Sequence, residues 1–208
     1  MRGIVLVLVL GACTSNPRAR AWHRAADYIP LGVGWRGTYE IRTGSIRTRI
    51  AVAAKGGDVR DLPDQKDVRF LFLYGTLAGE TYDMAKSIYA LSDGGPREFY
   101  VDAFSWGLFH DPPVPMLPHT FSSGDEWTWE GEFEFKEPQR RTHTHLRVDG
   151  PVEFRGRQTM RTRETDDQNE LTVTRWFEKG VGLVGIEVEE RGGASASLTL
   201  ISHDAAAK

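Results

Sequence analysis

Two histidines set two residues apart, His143-Thr144-His145, are the sharpest chemical signal in this chain. On a β-strand alternate side chains leave by the same face, so both imidazoles could reach one metal ion. The segment before them, Trp127-Thr128-Trp129-Glu130-Gly131-Glu132-Phe133-Glu134-Phe135, places aromatic residues at odd positions and Thr or Glu at even ones. A hairpin that opposes Lys136 to Arg141 also opposes Glu134 to His143, Glu132 to His145 and Glu130 to Arg147, with Trp129 beside Val148 on the other face. His143 and His145 are therefore the metal candidates, although a solvated face of weak Glu–His and Glu–Arg pairs is written with the same residues. His110-Asp111, His119, Ser122 and Ser123 supply the residue types of a serine hydrolase. No Gly-x-Ser-x-Gly elbow accompanies them, and the tandem glycines at 56–57, 94–95 and 192–193 lack the strand–loop–helix setting of a phosphate loop. The chain thus offers no catalytic set and calls for no cofactor.

The elements that must position these residues read as strands near 36–43, 45–54, 66–75, 80–91, 97–104, 126–136, 140–149, 157–165, 170–178, 182–191 and 195–202. About eleven strands with no amphipathic helix predict an all-β fold: a single antiparallel domain built as a curved half-barrel, a barrel or a sandwich. Asp166–Asn169 and Glu178-Lys179-Gly180 read as hairpin turns. Residues 104–118 are aromatic and rich in proline, and prolines at that density argue against a central strand. The expectation there is a long connection whose side chains plug one end of the β structure or line a mouth into it. Trp106, Phe109, Trp127, Trp129 and Trp176 are the candidate ligand-binding residues on that reading.

The 208 residues carry 26 basic and 29 acidic side chains, so no global positive field is present to hold nucleic acid. The single cysteine, Cys13, excludes an intramolecular disulfide. It follows a minimal basic start, Met1-Arg2-Gly3, an apolar run from Ile4 to Leu10 that is too short to span a bilayer, and the small residues Gly11 and Ala12. Leu10-Gly11-Ala12-Cys13 resembles the lipobox of bacterial lipoproteins. That resemblance implies cleavage after residue 12, acylation of Cys13 and a membrane attached through lipid, with Thr14 at the position associated with outer-membrane sorting. Residues 1–12 are then a signal peptide, 13–27 a lipidated tether bearing Arg18, Arg20 and Arg24, and 28–208 the β domain.

Two further segments are similar to a group of uncharacterised bacterial secreted proteins and lipoproteins. The group's opener is matched by Tyr28-Ile29-Pro30-Leu31-Gly32-Val33-Gly34-Trp35-Arg36-Gly37-Thr38-Tyr39, and its closer by Trp176-Phe177 running into Gly180-Val181-Gly182-Leu183-Val184. Pro115-Met116-Leu117-Pro118 and Gly124-Asp125-Glu126-Trp127 match two motifs between them, whereas Gly37 and Phe154-Arg155-Gly156 depart from the pattern. The resemblance implies a β-rich fold of the kind seen in the curved half-barrels of periplasmic lipoprotein carriers, and no assigned activity.

The expected function is non-enzymatic: a lipid-anchored cell-envelope protein, held at the outer membrane facing the periplasm, whose β domain binds an apolar small molecule or an envelope protein. An assembly component of an envelope complex is the alternative, and a metal-dependent enzyme using His143 and His145 is the third.

Overall fold

The computed structural model of the chain describes residues 21–29, 34–56, 68–77, 80–92, 95–103, 106–134, 140–166, 170–190, 193 and 195–204. Cys13 and the leader lie outside the described residues. Among the described residues fourteen strands follow one another: β1 (His23–Arg24), β2 (Arg36–Thr43), β3 (Ile46–Gly56), β4 (Val68–Leu77), β5 (Glu80–Ser92), β6 (Gly95–Ala103), β7 (Trp106–Pro115), β8 (Thr120–Phe121), β9 (Glu126–Glu134), β10 (Arg140–Phe154), β11 (Arg157–Asp166), β12 (Leu171–Glu178), β13 (Gly182–Glu190) and β14 (Ser195–Asp204). A single 3-10 turn, Ala25–Asp27, follows β1.

The all-β antiparallel class expected from the sequence is what forms, and of its three variants the pairing is that of a barrel. Twelve strands join in the order β10-β11-β12-β13-β14-β2-β3-β4-β5-β6-β7-β9, and β9 returns to β10. The ring is closed at one end of the chain order by β14 against β2, where Leu198 faces Ile41 and Asp204 faces Arg36. Its shortest seam is β7 against β9, with only Phe109↔Glu134, His110↔Phe133 and Asp111↔Glu132 in register. Without that seam the ladder would be one open sheet.

Four sequence expectations need correction. The segment 104–118 was expected to be a connection, yet Trp106–Pro115 forms β7 between β6 and β9. Proline lacks an N–H, and the β7–β9 ladder stops at Asp111, just before Pro112. Beyond that point indoles take over: Trp129 Nε1 donates to the Pro112 carbonyl at 2.9 Å and Trp127 Nε1 to the Pro115 carbonyl at 3.3 Å. Second, the β9–β10 register is slid by four residues, so that His143 faces Glu130, His145 faces Thr128 and Arg147 faces Glu126. An even shift keeps every side chain on its face, so alternation and charge could not distinguish the two registers.

Third, the end of the supposed tether belongs to the folded body. His23 and Arg24 pair with Phe121 and Thr120, the Ala25 N–H donates to the His119 carbonyl at 2.9 Å, and Ala25 is buried. Fourth, β10 continues to Phe154, with its register shift between Asp149 and Val152. The turns at 166–171 and at Gly180 fall where the sequence placed them, Asp166 meeting Leu171 and Gly180 adopting φ +79°.

The core fills one end of the barrel. Tyr28, Ile29, Trp35, Leu117 and Phe121, from the segments that cross this end, pack with Tyr39, Ile50, Val52, Val148, Met160, Phe177, Val184 and Leu200 from the walls. Val114, Trp129 and Leu146 form a second cluster on the β7–β9–β10 side. Gly95 starts β6 at φ +102°, where a Cβ would overlap the Leu117 carbonyl oxygen and come within 2.8 Å of the His119 nitrogen. Both obstacles are backbone of the segment that seals the barrel, so Gly95→Ala is expected to lower the unfolding free energy by at least about 2 kcal/mol in urea denaturation.

Candidate functional site

Register decides which side chains face inward. On β10 to β12, Val148 pairs with Thr162 and Leu146 with Glu164, while Thr162 meets Arg175 and Glu164 meets Val173. The same row continues as Arg175↔Ile186, Ile186↔Leu198 and Leu198↔Ile41. Because Val148, Leu146 and Thr162 are buried, this row is the inner wall. Towards the sealed end it merges with the core at Tyr39 and Leu200. Towards the other end Ile41, Val173, Ile186, Val188 and Leu198 are only half-buried. An eight-stranded barrel is just wide enough to be filled by its own side chains, and this ring has twelve strands. The half-buried apolar row lies on the inner face of that ring.

One ion pair stands within it. Arg175 and Glu164 are directly hydrogen-bonded and their side chains are 23% and 19% exposed. Burial opposes the charge on Arg175, but the attraction of Glu164 and then of Glu98 outweighs it and raises the guanidinium further. Glu98 lies on β6, five strands round the wall from β12. Arg175 is thus a cation on the inner wall, paired with Glu164 of the neighbouring strand.

The outer face is charged. Glu126, Arg147 and Asp149 form a chain of ion pairs at 2.9 Å, extended by Arg161 to Asp149 at 3.1 Å. Burial tends to raise the Asp149 carboxyl, yet the hydrogen bonds from Arg147 and Arg161 prevail and lower it. An open groove of about 590 Å³ here is lined by Trp127, Thr128, His145, Arg147, Arg163 and Thr165, among others. A second, of about 710 Å³, lies over the β2–β3 hairpin. At its centre Glu40 is bound by Arg42 at 2.7 Å and Arg47 at 2.6 Å. Those hydrogen bonds, Arg47 first, hold the Glu40 carboxyl down at about 2.

The residues singled out from sequence are not gathered in one place. Trp129 is buried between Val114 and Leu146, Trp127 is half-buried next to it, and Trp176 stacks on Phe154 at 4.4 Å in the main core. Trp106 and Phe109 lie on β7, paired with Ala103 and Tyr100, and their side chains lie outside what is described. His145 is exposed on the outer face, and the His143 side chain is likewise outside the description. Neither carboxylate expected opposite the histidines stands where the first register placed it. Among the described residues no three His, Cys, Asp or Glu side chains come together as metal ligands.

The serine cluster is built into turns: Ser122 N–H donates to Asp125 Oδ2 at 2.8 Å, and Ser123 Oγ accepts from the Gly150 N–H at 3.1 Å. Sequence reasoning passed over Arg175, Glu164 and Glu40. A signal for the first pair was present, since Glu164 and Arg175 lie on neighbouring strands of the hairpin and on the same face as Val173, Arg175 standing diagonal to Glu164, two residues beyond its partner Val173.

No protein-family model matches the chain, and no curated protein matches it. Two solved structures are similar in shape. One is an inferred exported protein with a YmcC-like fold from Bacteroides fragilis, 7% identical, covering 85% of this chain and 98% of its own, with a TM-score of 0.38. The other is an inferred lipoprotein from Parabacteroides distasonis, 9% identical over the same shares, with a TM-score of 0.33.

Two expectations follow from these charges. Replacing Arg175 by Leu alone leaves Glu164 without its cation and should cost about 3 kcal/mol, whereas the double replacement Arg175→Leu with Glu164→Leu should recover part of that loss in a double-mutant cycle. Glu40 has a folded pKa below its ordinary value of 4.5, so its contribution is complete above pH 4.5 and is lost as pH falls towards 2. Glu40→Gln should therefore flatten the stability profile in that window, measured as Tm against pH.

Proposed function

We propose that this chain is an exported, lipid-anchored envelope protein whose barrel binds an apolar or amphiphilic small molecule in its interior. The observation that carries the binding reading is the inner row Ile41, Val173, Ile186, Val188 and Leu198, apolar yet half-buried inside a closed ring. Apolar side chains turned into an enclosed space and still open to solvent are the setting in which burial of a ligand gains about 25 cal/mol per Å². Arg175 and Glu164 would supply the few polar contacts that orient an occupant.

The anchoring part of the reading rests on Leu10-Gly11-Ala12-Cys13 and the apolar run before it. The outer face accords with attachment by lipid rather than by the barrel wall. Exposed Arg42, Arg47, Arg49, Glu126, Arg147, Arg163, Glu187 and Glu189 cover strands that would need an apolar band to span a bilayer. No described helix is long and apolar enough to cross a membrane. The assembly alternative calls for a contiguous apolar patch outside. The large exposed apolar residues among those described are Trp22, Ile46 and Ile201, from three different segments.

Cells fed labelled palmitate should label the intact protein and not Cys13→Ser. The purified protein should raise N-phenyl-1-naphthylamine fluorescence saturably, and Val188→Lys, with its circular dichroism unchanged, should weaken that binding at least tenfold. Absence of any saturable signal from the native protein would sink the interior-binding reading, and a labelled Cys13→Ser would sink the anchor.

A further inference from the structure

The β2–β3 hairpin combines an apolar tip with a basic flank. Thr43 pairs with Ile46 across the Gly44–Ser45 turn, and Ile46 is 68% exposed. Directly behind it Arg42 pairs with Arg47, and Arg49 follows on the same outer row opposite Glu40. All three arginines are exposed, and Arg49 has no ion-pair partner among the described residues. Glu40 is almost fully covered by Arg42 and Arg47, so it organises these two cations while neutralising one charge. Three arginines against one glutamate leave a local positive excess on a chain whose formal charge is −3. The neighbouring strand β14 contributes uncharged Ser195 and Ser197 opposite Glu189 and Glu187 of β13. They stand two strands from β2, at about 10 Å, a full Debye length at 0.1 M salt.

The position of this tip in the barrel adds a second observation. The segments around Ala25 and Leu117 seal one end, and the β2–β3 turn lies at the other, where the inner row from Ile41 to Val188 keeps its solvent access. We propose that the hairpin docks the barrel on an anionic phospholipid surface, Ile46 entering the interface while Arg42, Arg47 and Arg49 contact lipid phosphates. An isoleucine at a strand turn offers apolar area without a backbone edge, and each arginine near an anionic leaflet strengthens binding about fivefold. Docked in this way, the less filled end of the barrel meets the lipid, so an apolar occupant passes between bilayer and interior without crossing water. This consequence rests on the interior-binding reading. The docking itself does not, and its test needs neither ligand nor acyl anchor.

The test uses the unlipidated polypeptide from Thr14 onward, which keeps every described residue, floated with vesicles of phosphatidylcholine alone or with one-third phosphatidylglycerol. Binding should require phosphatidylglycerol and weaken as salt is raised. Arg49→Gln should reduce it about fivefold and Ile46→Ser severalfold. Both substitutions spare the Glu40 ion pairs, so the fold is retained and can be checked by circular dichroism. Arg163→Gln, on the outer face of β11, should leave binding unchanged. Equal binding to both vesicle types, no binding to either, or binding unaffected by Ile46→Ser and Arg49→Gln would overturn the proposal. The last outcome would assign docking to the sealed end, where Trp22 and Arg24 are exposed.

Discussion

Backbone hydrogen bonding closes this molecule on itself, and the quality of that closure sets what everything else can be. Each strand of the twelve has a neighbour on both sides, so no long edge is left to template pairing with another chain. The closure is hardest where β7 brings Pro112, Pro113 and Pro115 to the seam. A proline offers a carbonyl but no N–H, so half of each potential pairing is missing. Trp127 and Trp129 supply the missing donors from their indoles. Gly131 makes space for this, because a Cβ at that position would overlap the Trp129 ring. Aromatic residues that could have met a ligand are instead fastened across the weakest join in the wall.

Charge is divided between the two faces by the same ring. Outside, ion pairs such as Arg147 with Glu126 are solvated and contribute little each. Inside, Arg175 is not left alone in a low-dielectric space: Glu164 of the neighbouring strand pairs with it. Glu40 is an intermediate case: an outward carboxylate covered by its own arginines. The interior is therefore neither an oily plug nor an aqueous pore. Its core packs at one end, and towards the other the inner row is apolar and half-buried, with the Arg175–Glu164 pair within it.

Much of this was legible in the residues. Alternation located eleven of the twelve barrel strands, since a strand with one buried and one wet face must repeat every second residue. The twelfth, β7, was lost because its prolines satisfy the rule for a loop. That rule holds only where main-chain donors must come from the strand itself, and Trp127 and Trp129 remove the condition. The four-residue slip at His143 has a different cause: Glu126, Glu130, Glu132 and Glu134 are nearly equivalent partners, and only the geometry of the turn selects among them. The short pairing of His23 and Arg24 with β8 carries no periodic signal at all, being two residues long. Arg175 and Glu164 were hidden by parity, because charged residues on a regular alternation are read as the wet face, and in a wide ring the inner face can also be wet.

The pairing of β2 with β14 joins the first and last strands of the ring. Every other join except β7–β9 is made between strands consecutive in sequence, so ten hairpin contacts can form as the chain emerges, and this one cannot. For a polypeptide that is synthesised N-terminus first, the open edge of β2 must wait until Ser195–Asp204 has been made. Throughout that interval the growing sheet has an exposed border at Arg36–Thr43, a stretch that carries Arg36, Glu40 and Arg42 among its eight residues. Charges along a temporarily unpaired strand discourage it from recruiting another copy. The same side chains that line the finished outer wall thus act earlier as a guard on an unfinished one.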